Sequence, residues 1–355
     1  MRIAQVIGTY EYGGIGTIIT NIANGLKKEG HEVEIVCVRK RLDPKNIKVV
    51  SFESKLKPSI LWGTIKMINY LKKFDVIHVH GSLPIIYALF KRKGQKVVYT
   101  HHGWHIGVKE TEFKTKVGSA LFLKLYQLLA PKIDVFIGIS KWAQKEIKLF
   151  FNRESFLLRN PVDGDRFKPR KNVNKFRIGN PTILSIGKNW PHKGHVSEIL
   201  SLKEILKFYP EARLLIVGRG CESLLPLIKR LNLAKNVKVL EFVEDNELPL
   251  LYNSSDVFLT ASHWELFGLP ILEAIFSGVP VVGRGVFAIR ELIEESKAGK
   301  IFIRDEEIPR VLIKVLSRKD KYVKNALKFR KIYINENNWE TYIRNCIKIY
   351  SNVKK

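Results

Sequence analysis

The segment SHWELFGLPILEAIFSGVP, from Ser262 to Pro280, contains a change from strand to helix that the rest of the chain repeats. An apolar run over residues 257–260 precedes the segment, and a second one over 280–283 follows its helical part. Proline suits the first turn of a helix, where its missing N–H is not needed, so a helix is predicted to begin near Pro270. Strand, helix and strand together predict a βαβ unit of a parallel sheet.

Strand-like apolar runs alternate with amphipathic helical stretches from one end of the chain to the other. The predicted strands cover residues 2–8, 33–38, 49–52, 76–80, 96–101 and 135–140, then 182–187, 213–218, 237–242, 257–260, 280–283 and 300–303. Such alternation predicts an α/β fold with parallel sheets covered by helices on both faces. At 355 residues the chain exceeds the size at which one core usually stops growing, so two domains are expected.

The basic stretch between Asp163 and Pro181 lacks hydrophobic periodicity, and it is interpreted as a linker between two Rossmann-like, doubly wound domains. We therefore predict an N-terminal domain over residues 1–165, a C-terminal domain over 166–335, and a helix within 336–355 that packs back on the N-terminal domain. Parallel sheets bind ligands at the carboxyl ends of their strands, so a ligand-binding cleft between the two domains is expected.

The composition is that of a globular protein, and no apolar run reaches the roughly 18 residues that a membrane-spanning helix needs. Three widely separated cysteines, Cys37, Cys221 and Cys346, predict neither a disulfide framework nor a zinc site, and they favour the cytoplasm. The net charge of +27 indicates an anionic membrane surface, nucleic acid, or a general excess of lysine on solvated surfaces. No motif that reads RNA or DNA is present, so a nucleic-acid partner is not indicated.

The loop inside the opening segment is suited to binding an anion. It delivers the amides of Phe267, Gly268 and Leu269 to the N-terminus of a helix, where unpaired N–H groups and the helix dipole favour a negative charge. Glu265 precedes these amides, and Glu273 follows them in what is expected to be the first helical turn. The alternative is structural: Glu273 would merely favour the dipole, and Glu265 would be a solvated loop residue.

The order of motifs along the chain resembles a known family. E-x7-E with F-G-L-P between the acids, followed by E-A-x-x-S-G-x-P-V-V, resembles the family 4 glycosyltransferases of GT-B fold, the glycosyl transferases of group 1. The resemblance covers nearly the whole chain, because it continues in family order with Tyr12-Gly13-Gly14, Thr100-His101-His102-Gly103, Ser140, Asn160-Pro161-Val162-Asp163, Phe167, Gly187-Lys188, Lys193-Gly194, Val217-Gly218, Leu251-Tyr252 and Ser255-Asp256. It implies a retaining, metal-independent transfer of a sugar from a nucleoside-diphosphate sugar to a hydroxyl acceptor, with no cofactor.

By this resemblance the C-terminal domain holds the nucleotide-sugar donor. Glu273 would bind the ribose hydroxyls, Glu265 would contact the transferring sugar as a catalytic residue, and the amides of residues 267–269 would lie against the sugar and the β-phosphate. Lys188 and Lys193 would neutralise the diphosphate as it leaves, work that a metal ion would otherwise do. The family usually has arginine where this chain has Lys188, so the charge is kept and the planar bidentate contact is lost.

The N-terminal domain would hold the acceptor and contribute two further residues. His102, just after the predicted strand at 96–101, would hydrogen-bond the donor sugar near its 6-position as a second catalytic residue. Gly14 lies in the turn after the first strand and would let the backbone approach the diphosphate or the acceptor.

Two patterns that could indicate a metal ion are interpreted otherwise. Asp163-Gly164-Asp165 spells the D-x-D of GT-A enzymes, but it lies within a motif of the present family and is read as structural. His101 and His102 lie near His78 and His80, yet neighbouring strand residues point to opposite faces, and no cysteine or carboxylate set completes a zinc site.

A basic amphipathic segment predicts contact with a membrane. The stretch GVKETEFKTKVGSALFLKLYQLL after His105 combines lysines with apolar residues at helical spacing, and Lys91-Arg92-Lys93 adds charge. Such a helix could rest on the inner, anionic face of a membrane and meet a lipid-linked or cell-envelope acceptor. The alternative is a helix that packs its apolar face on the core.

Two other functions stay open at this point. A sugar-nucleotide epimerase can share the two-domain architecture, and a non-catalytic protein could use the positive charge to bind a polyanion. Many relatives carry a G-G-I-P-E turn where this chain reads Phe287-Ala288-Ile289-Arg290-Glu291, so the identity of the donor sugar is not carried over from the family.

Overall fold

The computed structural model describes residues 1–11, 13–55, 59–81, 83–103 and 123–352. The chain divides into two compact units, which are described separately. The first unit comprises Met1–Pro161 together with Asn337–Lys355, and the second unit comprises Val162–Glu336. Each unit is built on one parallel sheet with helices packed against it, so the α/β prediction of two Rossmann-like domains is confirmed.

The first unit contains a seven-stranded sheet in the order β3-β2-β1-β4-β5-β6-β7, with parallel neighbours. Its strands are β1 Arg2–Tyr10, β2 Glu32–Lys40, β3 Lys48–Ser51, β4 Val76–His80, β5 Lys96–His101, β6 Val135–Gly138 and β7 Phe156–Leu157. Its helices are α1 Gly14–Lys28, α2 Ser59–Leu71, α3 Lys141–Phe151 and α11 Trp339–Asn352, and residues 123–129 are also helical.

Both faces of this sheet are covered by helices. One apolar cluster joins the sheet to α1 and α11, and a second joins its opposite face to α2 and α3. The central strands are therefore buried on both sides, and all five residues of β4, VIHVH, are buried. A strand buried in this way is expected to be apolar throughout, so the two histidines of β4 need polar partners inside the protein.

Helix α11 belongs to the first unit although it ends the chain. Gly25 of α1 lies so close to Ile343 of α11 that a Cβ at position 25 would approach Ile343 Cγ1 to 2.5 Å. Tyr342, Cys346 and Tyr350 are buried on the inner side of α11. The C-terminal helix is thus packed into the core of the first unit.

The second unit contains a six-stranded sheet in the order β10-β9-β8-β11-β12-β13, again with parallel neighbours. Its strands are β8 Thr182–Ile186, β9 Arg213–Val217, β10 Val237–Leu240, β11 Val257–Thr260, β12 Val281–Arg284 and β13 Gly299–Phe302. Its helices are α4 His195–Phe208, α5 Leu225–Arg230, α6 Leu248–Asn253, α7 Leu269–Phe276, α8 Phe287–Ser296, α9 Ile308–Leu316 and α10 Lys319–Glu336.

All twelve strands predicted from the sequence are present, with ends that shift by at most two residues. The additional strand β7 has two residues, both exposed, and pairs with β6 at the edge of the first sheet. A strand of this length has no detectable periodicity, which is why the sequence did not predict it.

The stretch that the sequence analysis interpreted as a linker is packed on the second unit. Phe167 is buried, and its ring meets the ring of Tyr252 edge-on at a centroid distance of 5.8 Å. Arg177 donates to the carboxylate of Asp256 at 3.0 Å. The stretch thus belongs to the second unit, where side-chain contacts hold it without any regular periodicity.

Candidate active site

The start of α7 presents unpaired backbone amides. Gly268 precedes the helix with φ +83°, and a Cβ there would meet Ile271 Cδ1 at 3.0 Å, so glycine suits this turn. No described residue accepts a hydrogen bond from the amides of Phe267, Gly268 or Leu269. Unpaired amides at the positive end of a helix dipole form a site for an anion.

An ion pair lies at this loop. The Nζ atom of Lys193 is 2.8 Å from Oε2 of Glu265, and both side chains are partly exposed. The carbonyl oxygen of Glu265 also accepts a hydrogen bond from the amide of Ala288 at 3.1 Å, which ties the loop to α8. The structure therefore brings together two residues that the sequence places 72 positions apart.

The turn that carries Lys193 packs on the end of β11. Gly194, with φ +76°, ends the 3-10 turn Pro191–Lys193, and a Cβ at this glycine would come within 2.3 Å of the carbonyl oxygen of Ala261. The amide of His263 donates to the carbonyl oxygen of His192 at 2.7 Å. The loop after β8 and the loop after β11 thus form one surface at the carboxyl edge of the second sheet.

Lys188 lies in the same turn after β8, where its Nζ atom is 5.3 Å from the ring centroid of Trp190. This cation–π contact limits where the ammonium group can move.

A buried ion pair that the sequence analysis missed holds these two loops. Nδ1 of His195 lies 2.9 Å from Oε2 of Glu198, and Nε2 of His195 lies 3.1 Å from the carbonyl oxygen of Gly187. The other oxygen of Glu198 accepts from the amide of Ala261 at 2.9 Å. Burial, the largest single influence, lowers the pKa of His195, but the Glu198 carboxylate and the Cys221 side chain together outweigh burial and raise this pKa to about 10. His195 is therefore protonated and donates from both ring nitrogens.

Glu273 lies in the second turn of α7, so the prediction that it occupies the first turn is wrong. It follows that Glu273 is not placed to stabilise the positive end of the helix dipole, whose effect falls off within the first turn. The hydroxyl of Tyr252 donates to Oε2 of Glu273 at 2.7 Å. Burial raises the pKa of this carboxyl to about 7, against the opposing effects of Tyr252 and Arg166.

A carboxyl with such a raised pKa is a candidate functional group, because its burial destabilises the charged form. The sequence supplied Tyr252 as part of a family motif but assigned it no role; the contact with Glu273 gives it one.

The remaining predicted residues, Gly14 and His102, belong to the first unit. Gly14 is the first residue of α1, directly after Gly13 at the cap position. His102 follows β5, and its Nε2 atom lies 2.9 Å from Nδ1 of His80. His101 points to the opposite face, where its Nε2 atom is 2.8 Å from Glu146.

Burial and the neighbouring His101 lower the pKa of His102 to about 3, so its ring is neutral at ordinary pH. Among the described residues, no group of histidine, cysteine or acidic side chains is arranged to hold a metal ion.

The Asp163-Gly164-Asp165 sequence forms a turn. Oδ1 of Asp163 accepts hydrogen bonds at 3.0 Å from the amides of both Asp165 and Arg166. The Asp163 carboxylate therefore has a structural role in the backbone, as the sequence analysis read it.

The first unit contains a basic cavity near the carboxyl ends of β2 and β3. The cavity has a volume of about 330 Å³, and its lining includes Arg39, Arg41, Lys55, Ser59 and one acid, Glu53. The Arg39 guanidinium donates to the Ser59 hydroxyl at the start of α2, and Arg41 pairs with Glu11 at 3.2 Å. The cavity therefore has an excess of positive charge.

The segment predicted to bind a membrane lies mostly outside the described residues. Of its final part, residues 123–129 are helical, with Tyr126 and Leu129 buried and Leu128 exposed. Lys91 pairs with Asp134 at 2.7 Å, and Arg92 pairs with Asp75 at 3.2 Å. Within the described ranges, no helix is both long and apolar enough to cross a membrane.

Comparison with known proteins gives a consistent result for the two units. The family model described as Glycosyltransferase Family 4 matches residues 12–166, and the model described as Glycosyl transferases group 1 matches residues 167–332. An uncharacterized 41.2 kDa protein in the cps region of Klebsiella pneumoniae is 28% identical over 85% of this chain and 86% of that protein. The alpha-monoglucosyldiacylglycerol synthase of Acholeplasma laidlawii is 24% identical over 95% of this chain and 93% of that protein.

Solved structures show the same architecture. The structure of Alr3699/HepE from Anabaena in complex with UDP-glucose superposes with a TM-score of 0.83, at 20% identity, and covers 99% of both chains. At this level of identity the likeness concerns the fold.

Proposed function

Because the chain is a family 4 glycosyltransferase of GT-B fold, we propose that it transfers a sugar from a nucleoside-diphosphate sugar to a hydroxyl acceptor, with retention of anomeric configuration and without a metal ion. The second unit would bind the donor and the first unit the acceptor. The complex of HepE with UDP-glucose supports a nucleotide-sugar donor.

The observation that carries this proposal is the Lys193–Glu265 pair beside the unpaired amides of residues 267–269. In the absence of a ligand, the ammonium and the carboxylate neutralise each other. A diphosphate would compete for Lys193 and draw it away, which frees Glu265 to accept hydrogen bonds from the hydroxyls of the sugar. Binding of the diphosphate thus places Lys193 at the leaving group and frees Glu265 to contact the sugar.

The leaving diphosphate needs charge stabilisation when its bond to the sugar breaks. We assign this work to Lys193, Lys188 and the amides of α7, which together replace the positive charge of a metal ion. The bond between the anomeric carbon and the β-phosphate oxygen breaks, a bond from that carbon to the acceptor oxygen forms, and the acceptor proton passes to the departing phosphate. This route needs no side-chain nucleophile.

Glu273 fits the ribose of the donor. Its carboxylate can accept from two neighbouring hydroxyls, and Tyr252 holds one of its oxygens in place. The pKa of about 7 shows that the charged form is poorly stabilised without a ligand. Two hydroxyl donors from the ribose would supply the missing hydrogen bonds, so donor binding would lower this pKa.

The basic cavity of the first unit supports an acceptor that carries a negative charge. Arg39 and Arg41 offer guanidinium groups suited to a phosphate, and their excess over Glu53 favours an anion. A lipid-linked or cell-envelope acceptor with a phosphate group would meet this requirement. Such an acceptor also agrees with peripheral contact with an anionic membrane from the cytoplasmic side, which binding to anionic vesicles at low and high salt would test.

The decisive experiment measures release of free nucleoside diphosphate from UDP-, GDP- and ADP-sugars, with and without a panel of phosphorylated and neutral hydroxyl acceptors, in EDTA. A transferase releases the diphosphate when an acceptor is present. An epimerase would change the sugar without any acceptor, and a non-catalytic polyanion-binding protein would leave every sugar nucleotide intact.

The matched variants for this experiment are two lysines of the second unit. Lys193→Ala should lower kcat/KM by about 10²- to 10³-fold, since it removes a charge from the leaving group. Lys207→Ala removes an exposed lysine paired with Glu204 and should leave the rate unchanged. Equal rates for the two variants would contradict the site assignment.

A further inference from the structure

A chain of hydrogen bonds lies behind His102 in the core of the first unit. Nε2 of His80 lies 2.7 Å from Oε1 of Gln5, and Nδ1 of His80 lies 2.9 Å from Nε2 of His102. The amide nitrogen of Gln5 points to the hydroxyl of Tyr350 at 3.4 Å, and this hydroxyl lies 2.7 Å from Nδ1 of His78. The network joins β1, β4, β5 and α11, and only its last member, His102, has a role that the family resemblance implies.

The protons in this network can be placed. Burial lowers the pKa of His80 well below its ordinary value and that of His102 to about 3, so both rings are neutral and each has one N–H. The 2.7 Å contact fits an N–H of His80 that donates to the Gln5 carbonyl oxygen. With the amide reversed, its NH2 group would lie only 2.7 Å from Nε2 of His80, whereas the 3.4 Å contact with the Tyr350 hydroxyl is long in either orientation and does not decide between them.

Because Nε2 of His80 carries the proton, the tautomer of His102 is determined as well. A neutral His80 that donates from Nε2 has an unprotonated Nδ1, which can only accept. His102 must then donate from its own Nε2, which leaves its Nδ1 unprotonated. No hydrogen bond joins this Nδ1 atom to any residue within the described ranges.

We propose that Gln5 and His80 are positioning residues that hold His102 in the Nε2–H form, so that its Nδ1 atom accepts a hydrogen bond from a hydroxyl of the donor sugar. This inference rests on the proposed function and on the contact between His102 and the donor sugar that the family resemblance implies. It adds that two fully buried side chains, Gln5 and His80, determine which atom of that hydrogen bond is the donor.

The direction of the bond selects the donor sugar by its chemistry. A hydroxyl on the 6-carbon of the donor sugar has a proton that it can donate to Nδ1 of His102. A carboxylate at the same carbon has no proton and would place a negative charge against a lone pair. The site should therefore accept hexoses and reject uronic acids, and a 6-deoxy sugar should lose the bond without being repelled.

The first test is an NMR spectrum that correlates the ring nitrogens and carbon-bound protons of histidine in the ligand-free protein. The signals of His102 are assigned by their loss in His102→Gln. The inference predicts that Nε2 of His102 carries the proton and Nδ1 does not. A proton on Nδ1 overturns it. Because no substrate is present, this result stands even if the protein transfers no sugar.

The second test replaces Gln5, the residue that accepts a hydrogen bond from His80, in two ways. Gln5→Met removes the acceptor for His80, so His80 can donate from Nδ1 instead and force a proton onto Nδ1 of His102. Gln5→Glu places a carboxylate against His80 and should protonate it, as Glu198 does for His195; a charged His80 donates from both ring nitrogens, so the proton of His102 again moves to Nδ1. An unchanged His102 spectrum in Gln5→Met overturns the proposal.

The control is Tyr87→Phe, which removes a buried hydrogen bond to Gln95 at 2.6 Å in the same unit and leaves Gln5, His80 and His102 with their partners unchanged. The His102 signals of this control should match those of wild type. Its loss of thermal stability shows how much of the effect of the Gln5 variants comes from destabilisation alone.

Enzyme activity distinguishes a positioning role of Gln5 from a purely structural one. With UDP-glucose, or whichever hexose donor is active, Gln5→Met and Gln5→Glu should each lower kcat/KM about 10- to 100-fold, while affinity for the nucleoside diphosphate stays at the wild-type value. A fall in nucleotide affinity that matches the fall in kcat/KM would show general disruption and contradict a positioning role. Wild-type turnover of the corresponding uronic acid donor at the rate of the hexose would contradict the selectivity.

Discussion

Each of the two units buries histidine behind the loops that we propose to bind its ligand, and the two units keep it in opposite charge states. In the second unit, His195 contacts the carboxylate of Glu198, and its pKa is raised to about 10. In the first unit, His78 forms hydrogen bonds with the neutral hydroxyls of Tyr350 and Thr100 and lies against the His80 ring, and burial lowers its pKa to about 3. Burial opposes the charge in both places, so the chemistry of the partner decides the outcome.

The difference matches what each unit is proposed to bind. The charged pair of the second unit ties Gly187 to Ala261 and so holds the loops that would meet a diphosphate. The neutral network of the first unit ends at His102, which would meet an uncharged hydroxyl. A fixed charge suits a rigid frame for an anion, whereas a neutral ring keeps one lone pair available.

The largest expected effect is on the free energy of unfolding, when one buried histidine of each unit is replaced by leucine. His195→Leu leaves Glu198 buried without its cation and should lower the free energy of unfolding by about 3–5 kcal/mol. His80→Leu also removes a fully buried histidine, but its partners are neutral, so the expected loss is about 1–3 kcal/mol. Denaturant unfolding of both variants at pH 7 measures the difference, and a smaller loss for His195→Leu would break the comparison.

The next effect is a pH dependence of opposite sign in the two units. His195 has a folded-state pKa raised above its usual value of 6.5, so its contribution to stability is complete below pH 6.5 and is lost as pH rises toward 10. His78 and His102 have pKa values lowered to about 3, so they destabilise the folded state as pH falls from 6.5 toward 3.

Unfolding curves between pH 4 and 10 test this prediction. The alkaline loss of stability should be weaker in His195→Leu, and the acid loss should be weaker in His78→Gln. If either variant keeps the wild-type slope in its own pH range, the charge state assigned to that histidine is wrong.

Glu273 extends the comparison to a carboxyl whose charged form lacks a matching cation. Its pKa of about 7 lies above the usual 4.5, so the group lowers the stability of the folded state as pH rises from 4.5 to 7. Glu273→Gln should therefore stabilise the ligand-free protein at pH 8, by about 1–2 kcal/mol once partial exposure of the side chain is taken into account. The same variant should lose the stabilisation that nucleoside diphosphates give to wild type, which a thermal-shift series would detect.

The smallest expected effect concerns Tyr252, whose hydroxyl lowers the pKa of Glu273. Tyr252→Phe keeps the ring against Phe167 and removes only this hydrogen bond. The pKa of Glu273 should rise, so donor affinity at pH 7 should fall about 2- to 5-fold and recover by pH 9. A loss of affinity that is the same at both pH values would argue for a role of Tyr252 apart from the protonation of Glu273.

The sequence predicted the parts of the fold that repeat. Parallel strands buried on both faces are largely apolar along their length, so all twelve could be located, and a proline marked the start of α7. The family motifs placed Lys193 and Glu265 in loops of the same domain, but they did not predict the ion pair between the two side chains.

The polar contacts inside the core could not be predicted, because they depend on which strands become neighbours. His80 meets Gln5 and His102 only through the order β1-β4-β5, and His195 meets Glu198 at a spacing of three residues that also occurs on exposed helices. The error over Glu273 arose because Gly268, in a left-handed conformation, starts the helix early enough to place this residue in the second turn.

The most direct test of the account is a calorimetric titration of UDP, GDP and ADP into wild type and Lys193→Ala in the presence of EDTA. We predict that at least one nucleoside diphosphate binds wild type without a divalent cation, that added Mg²⁺ leaves the affinity unchanged, and that Lys193→Ala weakens binding about 10-fold or more. Binding that appears only with Mg²⁺, or that is equally tight in Lys193→Ala, would contradict the claim that the loops of the second unit hold the diphosphate by themselves.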